Sequence, residues 1–246
     1  MPLARSMSLL HIGGKAVRQS KPGQIAPIWH TLGLLLLLVA VSTGLFHMQS
    51  VSPAENRAGG NVPVYLAVIV CEWALVCYIW LGGRRLGAVP VRNLIGGRWG
   101  NTRVALRDFG IAGAFWIVWT LVALGMNLMV RPSHVKPLAF MSPHGPVEIA
   151  LWVMMSLTAG FCEELVYRGY LQRQIAALTG SASLAVLAQA VIFGAGHWYQ
   201  GIGMVFVIAV LGALFGILAH WRKSLRPGMI SHAWSDILNV IPIRFP

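Results

Sequence analysis

Only seven acidic residues serve 246 positions, and two of them, Glu163 and Glu164, stand together inside the apolar run Val147 to Leu165, with Arg168 just beyond it. Carboxylates where lipid should be are costly, which makes them functional candidates by default. Two later apolar segments carry ionisable groups as well: His197 closes Phe193-Gly-Ala-Gly-His197, and His232 and Asp236 bracket His232-Ala-Trp-Ser-Asp236. Glutamate, two imidazoles and an aspartate make a catalytic or a metal-binding set.

Helical spacing groups these residues further. Glu164 and Arg168 share one face with the acid N-terminal to the base, the better orientation for an ion pair, so Arg168 is expected to neutralise Glu164. Glu163 is turned about 100° from Glu164 and is expected to face a different neighbour. Phe193 and His197, and likewise His232 and Asp236, also lie four apart and present paired side chains to one cavity. If Gly180 turns a helical hairpin, Glu163 and His197 each lie 17 residues from the turn. Both are then about 25 Å along their helices and meet at one depth. His232 follows Pro227 closely, which fits if the stretch from Arg168 to Leu178, with Gln172, Arg173 and Gln174, extends beyond the bilayer. The cavity then opens toward the cytoplasm at shallow depth.

The elements that must hold these groups follow from composition. At 57% hydrophobic and 11% charged, against roughly 25% charged in a soluble domain, the chain reads as an integral membrane protein. Seven apolar segments stand out: Ile28 to Phe46, Val62 to Leu81, Phe109 to Val130, Val147 to about Tyr167, Leu184 to Trp198, Ile202 to Trp221 and Met229 to Ile243. No barrel alternation is visible, and spans of about 20 residues cross as helices. The expected fold is all-α, a polytopic transmembrane helix bundle of about seven spans with a four-helix catalytic back half. Two segments, Leu184 to Trp198 and Met229 to Ile243, are short, and each is either extended by its flanks or partly re-entrant. Joints rich in Pro and Gly divide the chain into a tail (1–27), a three-helix accessory region (28–130) and the back half (147–243).

The net charge of +12 does not point to nucleic acid, because the basic residues lie in short loops. Arg5, Lys15, Arg18 and Lys21 in the tail, and Arg84, Arg85, Arg92, Arg98, Arg103 and Arg107 between the second and third segments, place both regions in the cytoplasm by the positive-inside rule. Arg57, and then Arg131 with Lys136, mark the sparser opposite side. Arg222, Lys223 and Arg226 return the chain to the cytoplasm. A retained first helix in a multi-pass membrane protein, in the cell membrane if the source is bacterial, is expected rather than a cleaved signal peptide. Cys71, Cys77 and Cys162 lack C-x-x-C spacing and lie in apolar segments, which argues against a disulfide framework.

Glu163-Glu164-x-x-x-Arg168, then Phe193-x-x-x-His197, then His232-x-x-x-Asp236, on successive apolar helices, resembles the family of CAAX prenyl proteases of type II and bacteriocin-processing enzymes (CPBP). The resemblance covers about residues 147 to 243 and implies an intramembrane endopeptidase acting on a membrane-associated or lipid-modified protein or peptide. It implies that Glu163 takes a proton from water, helped by His197. His232 and Asp236 would stabilise the oxyanion. Many members carry Asn where this chain has Asp236. An ionised aspartate cannot donate a hydrogen bond, so Asp236 must be protonated, orient His232 or bind a metal. Glu163, His197, His232 and Asp236 also match the ligand types of a catalytic zinc site with an open water position. Members have been described both as metalloproteases and as metal-free glutamate-dependent proteases, and both readings stand.

Other readings compete with this one. The lesser reading of Glu163, Glu164 and Arg168 is a structural ion network, and that of His197, beside Trp198 and Tyr199, an interfacial residue. Cys162 adjoins Glu163, but neighbouring helical positions diverge and buried cysteines are usually inert. Glu72 is read as a polar contact between helices, with cavity lining as the alternative, and Glu148 as a carboxylate suited to its helix start. For the whole chain the alternatives are a non-proteolytic membrane scaffold or regulator and an ion- or proton-coupled transporter. The lack of an inverted repeat weighs against the last. No His-Glu-x-x-His, Gly-x-Ser-x-Gly or phosphate-binding glycine loop is present.

Overall fold

The computed structural model describes residues 24–51, 60–85, 90–96, 99–130 and 141–238. The basic residues Arg5, Lys15, Arg18, Lys21, Arg57, Arg98, Arg131 and Lys136, and the end of the last apolar segment, lie outside the described residues. The described chain is helical throughout. It runs α1 (Ile28–Val51), α2 (Val62–Arg85), a short α3 (Val91–Ile95), α4 (Thr102–Val130) and α5 (Gly145–Glu163). A π-helical segment (Glu164–Leu171) leads straight into α6 (Gln172–Thr179), and α7 (Ala182–Gly196), α8 (Ile202–Arg222) and α9 (Arg226–Leu238) follow.

Large apolar side chains on the outside identify the solvent of this bundle. Leu36 on α1, Leu121 on α4 and Val191 on α7 are all more than 60% exposed. An all-round apolar shell of this kind suits lipid. Among the described residues, five stretches are long and apolar enough to cross a membrane: Ile28–Met48, Val62–Gly82, Thr102–Met126, Gly145–Thr179 and Ile202–Arg222. Of the two segments expected to be short, α7 remains so, with 15 residues against the length of about 20 that a span needs; α9 has 13 residues among those described, and the end of its apolar segment lies outside them. His197 ends α7 by leaving helical geometry at φ −101°, ψ 18°.

The hairpin at Gly180 forms as the spacing predicts. Gly180 adopts φ +73°, left-handed backbone that a side chain would strain, and Ser181 then caps α7 by accepting from the Leu184 amide. The extension after Arg168 is helical too, but its glutamines turn into the protein. Gln174 donates to the Ala26 carbonyl at 2.6 Å and accepts from the Ile25 amide at 2.8 Å, while Gln172 donates to the Gly216 carbonyl at 3.0 Å. Backbone groups that lipid could not satisfy are thus satisfied by side chains.

Packing sets the site's frame: α5 lies between α2 and α9, α7 runs along α8, and α4 covers α9. The α5–α9 contact depends on Gly160, where an added Cβ would stand 2.8 Å from both the Met229 carbonyl oxygen and the Ala233 amide nitrogen. Gly160→Ala is therefore expected to destabilise the protein by about 1–3 kcal/mol. A fall in the thermal unfolding midpoint in detergent measures this. Gly110→Ala, with nothing within 4 Å of the new methyl, should leave the midpoint unchanged. Glu148 does more than suit a helix start: its two oxygens accept from the Asn61 and His144 amides at 2.7 Å each, tying the entry of α2 to that of α5.

Candidate active site

At the end of α5 the helix widens. All eight residues of the π-helical segment, Glu164 to Leu171, are buried, and π turns of this kind recur at functional sites. Plain α-helical geometry was expected here, and the wider turn is where two ionised side chains are carried into the core. Arg168 is 1% exposed, and its Nη1 lies 3.0 Å from Glu164 Oε1, the pairing that the spacing predicts. Nη2 donates to the Gly212 carbonyl at 3.3 Å. The guanidinium sits 4.3 Å from the centre of the Phe193 ring and 5.2 Å from that of Phe215. Aromatic faces of this kind stabilise a desolvated cation.

Glu164 passes this contact on to His232. His232 Nδ1 is 3.2 Å from Glu164 Oε1. Its Nε2 is 3.5 Å from Glu163 Oε2 and 3.7 Å from Asp236 Oδ2. The two adjacent glutamates thus meet one imidazole at its opposite nitrogens, where sequence spacing assigned them different neighbours. The π turn and the edge-on seat of His232 between α5 and α8 bring both to the same ring, which stacks on Phe215 at 5.2 Å. An imidazole with carboxylates at both nitrogens donates from both, the arrangement that suits imidazolium.

His197 is oriented separately. Its Nδ1 lies 2.8 Å from the Phe193 carbonyl oxygen, which only accepts, so Nδ1 carries a proton and donates it. In the neutral ring Nε2 is then left with a lone pair.

Glu163, His197, His232 and Asp236 line one cavity of about 140 Å³, room for several waters. Glu164 and Arg168 are not among its lining residues; they stand behind His232. Among the described residues no group of three or more His, Cys, Asp or Glu is disposed to hold a metal ion. His232, with a carboxylate at each nitrogen, would have to turn and lose a proton to serve as a ligand. As arranged, the four residues do not fit a metal centre.

Further polar residues line the cavity: Ser42 from α1, Glu72 from α2, Tyr167 from the π segment, and Tyr199 and Gln200 from the turn after α7. Glu72 lines the same cavity as Glu163, so the cavity-lining alternative for Glu72 holds. Tyr167 was missed, although it follows Glu163 by four positions, the same spacing that pairs Glu164 with Arg168. Tyr199 had been read only as part of an interfacial belt. Cys162 is buried and is not among the lining residues.

Residues 145–238 match the family model described as type II CAAX prenyl endopeptidase Rce1-like. The match covers the stretch that carries the three motifs and none of the chain before residue 145. No curated protein and no solved structure matches the chain.

Proposed function

We propose that the protein is an intramembrane endopeptidase that uses Glu163 to activate water against a peptide bond in a lipid-modified, CAAX-like protein or peptide. The observation that carries this reading is the placement of Glu163 at the wall of a water-sized cavity, with His232 at 3.5 Å and His197 on the same wall. Water in this cavity gives a proton to Glu163 as its oxygen attacks the carbonyl, and His197 Nε2 orients that water through its lone pair. His232, donating through Nε2, stabilises the oxyanion, with Asp236 holding its ring. Glu164 and Arg168 fix the far side of the ring and do not touch substrate. The leaving amine recovers its proton from Glu163.

Leu38, Val41, Leu45, Val68 and Leu75 give the cavity an apolar wall, which suits an isoprenoid or aliphatic chain beside the scissile bond. In this reading the region 147–243 is the protease domain, residues 28–130 are accessory helices, and residues 1–27 lie in the cytoplasm beside the cell membrane.

The test is hydrolysis of a fluorogenic farnesylated CAAX peptide by the purified protein in liposomes. His197→Ala is expected to lower kcat about 100-fold or more, and Cys162→Ser to leave it within twofold. A Cys162→Ser enzyme as inactive as His197→Ala would replace activated water with a thiol nucleophile.

A further inference from the structure

Hydrolysis of an amide puts a negative oxygen into the water-sized cavity, and most donors lining that cavity are already committed. Ser42 Oγ donates to the Gly196 carbonyl at 2.6 Å, and Trp152 Nε1 to the Asp236 carbonyl at 3.0 Å. His197 Nδ1 is taken by the Phe193 carbonyl, and Gln200 Nε2 donates to the Tyr199 hydroxyl at 3.1 Å. An ionised Asp236 has no proton to give. His232 divides its Nε2 proton between Glu163 and Asp236. One shared donor is thin support for an oxyanion, whose sites ordinarily gather several.

Tyr167 carries an uncommitted one. Among the described residues its hydroxyl has no hydrogen-bond partner, yet it is not one of the polar atoms sealed from solvent. The residue is 5% exposed and lines this cavity, so the free O–H opens on the space that holds the reacting water. Packing keeps it there. The ring stands edge-on to Phe193, with centroids 4.8 Å apart and planes at 72°. The hydroxyl lies against Gly196, 3.2 Å from where a Cβ would stand. Gly196 lines the cavity as well, and His197 follows it.

We infer that Tyr167 is a further catalytic residue, the second donor to the oxyanion, an assignment that rests on the proteolytic reading. As the water oxygen bonds to the carbonyl carbon, the C=O π pair moves onto the carbonyl oxygen. The Tyr167 O–H donates a hydrogen bond to that oxygen and keeps its own proton. When the pair returns, the C–N bond breaks and the amine leaves with the proton held by Glu163. The phenol thus supplies, from the π segment, the donor that a carboxylate at position 236 withholds.

The experiment compares wild type, Glu163→Gln and Tyr167→Phe in liposomes with the fluorogenic farnesylated CAAX peptide. Its second probe is the same peptide with a phosphinate in place of the scissile amide, whose charged oxygens stand where the oxyanion forms. Tyr167→Phe is expected to lower kcat about 100-fold with KM within twofold, and to weaken phosphinate inhibition by about the same factor. The acidic limb of the kcat–pH profile should stay in place, since it belongs to Glu163. The unfolding midpoint should not fall, because the lost hydroxyl bonds nothing in the protein. An inactive Glu163→Gln beside a Tyr167→Phe enzyme with more than a third of wild-type kcat, or with full phosphinate affinity, overturns the role of Tyr167 and leaves the proteolytic reading standing. Hydrolysis absent from wild type, or undiminished in Glu163→Gln, overturns both.

Discussion

Glu163→Gln is expected to lower kcat for peptide hydrolysis by about 10³-fold while leaving the fold intact. An amide of the same shape cannot take a proton from water, and a positioned general base contributes about 10²- to 10⁴-fold. The loss should fall on kcat with KM little changed, because the substrate's apolar chain is held by other walls of the cavity. Its buried partner His232 keeps Glu164 at 3.2 Å and Asp236 at 3.7 Å when the charge on Glu163 is removed, so the imidazole is not stranded. Thermal unfolding alongside the kinetics separates lost chemistry from lost structure. Retention of more than a tenth of wild-type kcat would falsify the role given to Glu163.

The second large effect is on stability. Arg168→Met is expected to cost about 3–5 kcal/mol, because it strands the Glu164 carboxylate in a fully buried setting. Side chains of both residues are 0% exposed, so water cannot take over from the guanidinium. Adding Glu164→Gln should recover more than half of the loss, since the double variant leaves no uncompensated charge. Unfolding midpoints of the two single variants and the double variant in one detergent measure the coupling. Equal destabilisation by the Arg168→Met single and the double would mean that the two residues do not act as a unit.

Much of this arrangement was legible before any coordinates. Helical spacing alone predicted the Glu164–Arg168 ion pair, and equal distances from Gly180 predicted that Glu163 and His197 reach one depth. The ion pair forms at 3.0 Å and Glu163 and His197 line one cavity, although the path from Glu163 to Gly180 runs through the π segment and so departs from the α-helical spacing on which the expectation rests. The convergence of both glutamates on His232 was not legible, because it depends on eight residues of π-helix whose wider turn leaves no mark in the apolar pattern. Nor was the place of Glu72 settled: a lone carboxylate on a distant helix becomes part of a site only through packing, here of α2 against α5. The fold class followed directly from composition. The inward turn of Gln172 and Gln174 did not, since glutamine suits both water and a buried backbone carbonyl.

The water-sized cavity is walled partly by Leu38, Val41, Ser42 and Leu45 of α1 and by Val68, Glu72 and Leu75 of α2, all outside the stretch that matches the family model. A fragment cut at residue 141 would keep every proposed catalytic side chain yet present them on an open half-shell, with bilayer tails flooding the place where solvent must collect. The N-terminal helices thereby act as a mould: residues free to vary there can reshape what is admitted without disturbing the machinery opposite, so exchange of these helices between related chains is where altered selectivity should first emerge.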